Sequence, residues 1–332
     1  MWLRSVAYNP TVDFLLVTDI SYDKPYPPNV KVIDMTFGCL KARIQANFDF
    51  TISLDIPYKL CDYKPTWGLV FQNELASYDY WGYCDIDQVF GAIRDFVTDR
   101  VLDRYPRVGY LGHFSLFRNC TELNLLFMQS GALFDYRSVY SSSCPHAFDE
   151  ATGLLQITLR HNIHVYTSPC YADIRVSRRR FCLQSPLTNR PFQVFYWDAG
   201  HVYRAYLDDN DEVSVDEYLY LHFQKKSPTS VPQNWPTQSS FYCFGDRFLE
   251  KGRPGVPTMN EIRAYSNYRG PVAEFLELAG HRAAKVVNYV RLRGEPKRIW
   301  RAQLLARRTL LLPTLPLDDA CGTRALDAKD NA

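Results

Sequence analysis

Asp85 and Asp87 are the residues whose types and spacing could do chemistry most directly. Two carboxylates one residue apart can reach a single hard cation such as Mg²⁺ or Mn²⁺ and leave coordination positions for phosphate oxygens. A cation held this way stabilises a departing diphosphate, the leaving group when a sugar is taken from a nucleotide-diphosphate donor. An Asp-x-Asp triplet alone is a common surface pattern, so its surroundings decide the reading. It directly follows an aromatic strand-like run, Tyr78-Asp-Tyr-Trp-Gly-Tyr-Cys84. The acids therefore fall at the carboxyl end of a strand, where open α/β sheets bind ligands. His222 ends another strand-like run, Glu217–Phe223, and is followed by Gln224, Lys225 and Lys226. Imidazole suits Mn²⁺ and the lysines suit a diphosphate, the plain alternative for His222 being a strand-end residue facing solvent.

The elements needed to position these groups are legible as periodicity. Asp13–Thr18 and Val30–Asp34 read as short strands separated by a Pro-rich loop, and Thr36–Phe48 and Asp62–Ala76 as covering helices, Asp62 serving as an N-cap. Gln88–Val97 has helical spacing, Arg107–Phe117 reads as one strand, Thr121–Gln129 as a helix, and Ala151–His161 as an amphipathic stretch. Gln193–Trp197 and His201–Tyr206 flank Asp198-Ala199-Gly200, a hairpin signal. The stretch after Lys226, rich in Ser, Thr and Pro, predicts an exposed connection.

Five motifs in order carry a resemblance: Lys59-Leu-Cys-Asp62-Tyr-Lys64-Pro65; Tyr78 through Asp85-Ile-Asp87 to Gly91; Gly112-His113-Phe-Ser-Leu-Phe-Arg118-Asn119; Val194-Phe-Tyr-Trp197; and Leu221-His222-Phe-Gln224-Lys225. Over residues 3–226 the chain resembles a largely uncharacterised bacterial family placed among candidate GT-A glycosyltransferases and associated with capsule or surface polysaccharide synthesis. The resemblance implies a GT-A-like α/β fold, an open mixed but mostly parallel sheet with helices on both faces. It implies metal roles for Asp85 and Asp87, and for His222. It also implies an opening apolar strand with a Pro-Tyr-Phe-Gly-like end, whereas this chain begins at Met1-Trp2-Leu3-Arg4, inside the helix that should follow. Either the start codon is misassigned or the copy is decayed, and the strand Asp13–Thr18 is expected to have an unfilled side.

Other polar residues are candidates with plain alternatives. Asp19 is placed to meet ribose or base, or is a turn residue. Lys59, Asp62 and Lys64 precede a helix whose N-terminus could face phosphate, or simply form a capped helix start. Lys225 is a donor-binding candidate. His113, Arg118 and Asn119 follow a strand and could bind the acceptor or the diphosphate. Asp149 and Glu150 could act as general base in an inverting transfer, or complement a helix dipole.

Composition bounds the rest. Hydrophobic residues at 46% and aromatics at 15% support a real core, and nine cysteines without a CxxC pair indicate neither a disulfide framework nor a structural zinc site. No apolar h-region and no long uncharged apolar run is visible, so the expected location is cytoplasmic. The net charge of +2 conceals an asymmetry: Lys251–Leu312 holds thirteen Lys and Arg against four Glu, a surplus of nine, leaving the remainder at −7. The expected organisation is a catalytic domain at 1–226, a linker at 227–257, a basic helical appendage at 258–312 and a disordered tail at 313–332. The appendage either rests on anionic lipid or packs against the catalytic domain. The leading function is a metal-dependent glycosyltransferase acting on a saccharide or lipid-linked acceptor, with no role for nucleic acid. Competing readings are a haloacid-dehalogenase-like phosphohydrolase with Asp85 as nucleophile, and a non-catalytic relic of the transferase fold.

Overall fold

The computed structural model describes residues 1–168, 170–175, 180–184, 189–224, 228 and 240–309. Among them fourteen strands form: β1 (Phe14–Thr18), β2 (Val30–Asp34), β3 (Tyr80–Cys84), β4 (Gln88–Phe90), β5 (Arg107–Leu111), β6 (Phe114–Arg118), β7 (Val165–Tyr166), β8 (Tyr171–Asp173), β9 (Gln193–Asp198), β10 (His201–Leu207), β11 (Val213–Tyr218), β12 (Tyr220–His222), β13 (Ser240–Cys243) and β14 (Phe248–Glu250). They make four sheets, ordered β1-β2, β3-β6-β5-β7, β4-β12-β8 and β11-β10-β9-β13-β14. The protein is thus mixed α/β with open, mixed sheets and a C-terminal helical region.

The expected mostly parallel sheet is not what forms. Only the β1/β2, β5/β7 and β8/β12 pairs are parallel, and the other seven pairings are antiparallel. The reason lies in the connections, because parallel neighbours need a crossover of a dozen or more residues whereas short turns make hairpins. Ala199 and Gly200, both at positive φ, close the hairpin between β9 and β10. Gly112 and His113 close another inside the run read as one strand, so Arg107–Phe117 is two strands, with a register shift at Gly109 where φ is +76°.

β9 shows why its sequence is continuously apolar. Val194 and Tyr196 feed one buried cluster, with Ala205 and Leu207, while Phe195 and Trp197 feed another on the opposite face, with Val202 and Tyr218. The five-stranded sheet is covered on both sides, which corrects the expected linker at 227–257. Its residues 240–250 form β13 and β14, and Phe241 pairs with Trp197 inside the sheet. The helix Met259–Tyr265, started by a Thr258/Glu261 capping box, also belongs to this body, since its Ile262 is fully buried against β9 and β10. Only Pro271–Arg291 and Gly294–Thr309 remain as appended helices, and the expected tail at 313–332 lies outside the described residues.

Near the N-terminus, Asn29 Nδ2 donates to the carbonyls of Val6, Asn9 and Val12, fastening the helix Trp2–Ala7 beside β1 and β2. Asn9 in turn accepts from Ile93 N and donates to Gly91 O. Among the described residues β1 has a single strand neighbour, β2. The helix expected over Thr36–Phe48 spans Phe37–Gln45, capped by Thr36, but Asp62–Ala76 is a chain of short α and 3-10 turns beginning already at Pro57, with Asp62 inside the turn Leu60–Tyr63 rather than capping a helix. Gln88–Val97 is a strand followed by one helical turn, Ile93–Phe96. Eight described cysteines are free, and no described helix is long and apolar enough to cross a membrane.

Candidate metal centre and its cleft

β3 ends at Cys84 and β4 begins at Gln88, so the Asp-x-Asp segment bridges two sheets. It is clamped from both ends. Asp85 N donates to His113 O at 3.1 Å and Phe223 N donates to Asp87 O at 2.9 Å, while Gln88 Nε2 donates to the same His113 carbonyl at 2.7 Å. Antiparallel pairing of β4 with β12 sets His222 opposite Gln88 and brings the imidazole to the acids. His222 Nε2 lies 3.4 Å from Asp87 Oδ1 and 3.9 Å from Asp85 Oδ2.

These separations suit a shared ion. Ligand atoms at about 2.1 Å from an octahedral cation stand about 3.0 Å apart when cis and about 4.2 Å apart when trans. One ligand atom from each of Asp85, Asp87 and His222 falls within 4.8 Å of the others. The acids are about one-third exposed while the imidazole is buried, so the site is open on one side.

The orientation of His222 is fixed by a residue that sequence reasoning missed. Asp173 Oδ1 lies 2.9 Å from His222 Nδ1, and Gln224 Nε2 donates to both Asp173 oxygens at 2.9 Å. A carboxylate on one imidazole nitrogen sets the tautomer that leaves the other free to bind a metal. Burial opposes the charge on His222, but its bonds to Asp173 and Asp87 prevail and lift its pKa to about 9. The ring of His113 stacks on His222 at 4.2 Å, and its Nδ1 meets Tyr220 Oη at 2.9 Å. Desolvation and the neighbouring His222 hold His113 well below the usual histidine range, hence neutral.

Lys64 stands behind the acids. Its Nζ donates to Asp85 Oδ1 at 2.5 Å and to Gly112 O at 2.7 Å, and lies 3.6 Å from Asp149 Oδ2. Burial works against the lysine's charge, but the Asp149 and Asp85 carboxylates outweigh it and raise its pKa. Asp149 is almost wholly buried and desolvation pushes its carboxyl well above the usual range, against the pull of Lys64. The residue expected as general base thus lies in the interior with its Oδ2 turned toward Lys64. Glu150 is half-buried beside the same turn, since a Cβ built on Gly112 would meet Asp149 Oδ2 at 2.2 Å and Glu150 Cγ at 3.1 Å.

Four other expected contacts are corrected. Lys59 and Asp62 are fully buried and satisfy each other at 2.7 Å. Lys59 also donates to Val139 O and Cys144 O, and Asp62 accepts from His146 N and Phe148 N, so the pair pins an internal loop and reaches no ligand. Arg118 and Asn119 sit at the wrong end of their hairpin. The register puts Arg118 opposite Tyr80, the far end of β3 from Asp85, where it donates to Leu102 O and Asp103 O. Asn119 closes a turn by donating to Leu75 O and Tyr78 O. Of the candidates His113, Arg118 and Asn119, only His113, at the turn, reaches the site. Lys225 lies outside the described residues.

A cleft of about 970 Å³ opens on Asp87, lined also by Thr18, Ile20, Tyr22, Tyr26 and Gln88. Asp19 lies exposed between two of its lining residues, Thr18 and Ile20. The cleft meets the His/Asp cluster through Asp87, and a concave space beside convergent polar groups is the expected form of a small-molecule site.

No curated protein and no solved structure matches this chain. Residues 1–251 match a family defined by sequence, and that span covers the Asp85, Asp87 and His222 cluster, the cleft and the five-stranded sheet up to and including β14. The chain belongs to DUF6625, a family of unknown function.

Proposed function

We propose that this protein is a metal-dependent glycosyltransferase with a GT-A-like catalytic region, using a nucleotide-diphosphate sugar as donor. The supporting observation is the convergence of Asp85, Asp87 and an Asp173-oriented His222, with Asp87 also lining a cleft large enough for a nucleotide sugar. A Mn²⁺ or Mg²⁺ ion held by these three would neutralise the diphosphate as the sugar leaves. Lys64 holds Asp85 Oδ1, which leaves Oδ2 on the side of His222. Tyr22 and Tyr26, with ring centroids 5.1 Å apart, offer aromatic faces to a base, and Asp19 an acceptor for ribose hydroxyls. Glu150 is the remaining candidate base for a saccharide or lipid-linked acceptor.

The phosphohydrolase reading needs a very apolar strand before its nucleophile. β3 has a half-exposed residue at each end and an exposed glycine at its centre, so it supports that reading poorly. The test is thermal shift against a panel of nucleotide sugars with and without Mn²⁺, beside the Asp85→Ala, Asp87→Ala double variant. Metal-dependent stabilisation by a donor, lost in the variant, is expected. Equal stabilisation of both proteins would remove the assignment, and release of free sugar or of sugar-acceptor product from the stabilising donor separates an enzyme from a binding relic.

A further inference from the structure

The helix Pro271–Arg291 presents its apolar face away from the protein. Val272, Phe275, Leu276, Val286, Val287 and Val290 recur at helical spacing, and at 100° per residue they share one arc of about 120°. Such a stripe ordinarily faces a core. Here all six are exposed, between 47% and 71%, and no residue of the helix is buried. The half-buried positions, among them Glu274, Glu277, Leu278 and Tyr289, lie on the opposite arc. That side is fastened by an ion pair of 2.6 Å from Glu274 to the buried Arg180. The following helix, Gly294–Thr309, is seated through Ile299 and Ala306 and through Gln303 Nε2, which donates to His146 O. It too leaves an apolar side chain, Leu305, in the open.

Charge selects the occupant. From Pro271 to Thr309 there are nine Lys and Arg against three Glu. A second copy docking through the same stripe would set cations against cations, whereas an anionic lipid surface satisfies both the stripe and the charge. We propose that these two helices form a docking surface for anionic membranes, with Pro271–Arg291 lying in the plane of the interface and its apolar stripe inserted. The surface is independent of the catalytic reading, so either can fail alone.

The test is co-sedimentation of the full chain with vesicles of phosphatidylcholine alone or mixed with phosphatidylglycerol. Binding to the anionic vesicles only, reversed by salt, is expected. Val286→Asp with Val287→Asp should abolish it, and Arg282→Ser with Arg291→Ser, the cations that flank the stripe, should weaken it about thirtyfold, because each cation near such a surface is worth about a fivefold change in binding. All four side chains are exposed, so unfolding temperatures should hold, and a loss of binding then reports the surface itself. Failure to bind, equal binding to neutral vesicles, or a dimer that dissociates on Val286→Asp with Val287→Asp would overturn the proposal.

Discussion

Lys59→Met isolates the buried pair that sequence reasoning took for a phosphate contact. The substitution keeps a long apolar stem but removes the cation from Asp62, and it strips the carbonyls of Val139 and Cys144 of a donor. Breaking one partner of a buried ion pair costs about 3–5 kcal/mol, chiefly because the other charge stays buried without compensation. Here two backbone N–H groups, from His146 and Phe148, still reach Asp62, which favours the lower end of that range. Neither carbonyl is orphaned, since Val139 O still accepts from Ser142 N and Cys144 O lies 2.7 Å from His146 Nδ1, so the carbonyls add little to the loss. A loss of about 3–4 kcal/mol is the working figure. Urea unfolding followed by tryptophan fluorescence measures it. Lys59→Met with Asp62→Asn should recover part of the loss, since the amide oxygen still accepts from both backbone donors while the stranded charge is gone. A loss below about 1 kcal/mol, or a selective loss of nucleotide binding in a protein of unchanged stability, would refute the structural role.

Three further outcomes follow from the same geometry. Asp173→Asn should weaken Mn²⁺ binding about 10- to 100-fold with little change in folding, because it removes the carboxylate that orients His222; calorimetric titration at fixed pH reads this. His201 is raised above its ordinary pKa by its 2.7 Å bond to the buried Glu217, opposed by desolvation. Its contribution to stability is therefore complete below about pH 6.5 and is lost as pH rises through the folded-state value. The stability difference between the native protein and Glu217→Gln should shrink from mildly acidic to mildly alkaline pH, and a difference that grows would contradict the sign. Gly112→Ala should destabilise the protein, since its methyl group would overlap the Asp149 carboxylate, and a thermal midpoint equal to that of the native protein would argue against the packing.

What could be read in the sequence was what is local. Asp85 and Asp87 adjoin each other at the end of an aromatic strand, and β1, β2 and the turn at Ala199-Gly200 announce themselves by periodicity and turn chemistry. Asp173 could not be found that way, because it lies 49 residues from His222 and meets it through the parallel register of β8 and β12. Lys59 and Asp62 misled for the converse reason: two charges near a helix start look solvent-facing until the loop at 139–148 closes over them. The hairpin at Gly112-His113 did leave a signal, Gly109 and Gly112 interrupting an apolar run, and reading it would have separated His113 from Arg118 and Asn119. β13 was masked by the polar composition just before it, although Phe241-Tyr-Cys-Phe244 has the aromatic character of a buried strand.

The most direct test of the metal centre is pulsed electron paramagnetic resonance of the protein with Mn²⁺. Tight binding with nitrogen modulation from the His222 imidazole is expected, the modulation disappearing in His222→Gln and the binding itself in Asp85→Asn with Asp87→Asn. Mn²⁺ held with undiminished affinity by the double aspartate variant, or a nitrogen signal untouched by loss of His222, would contradict it.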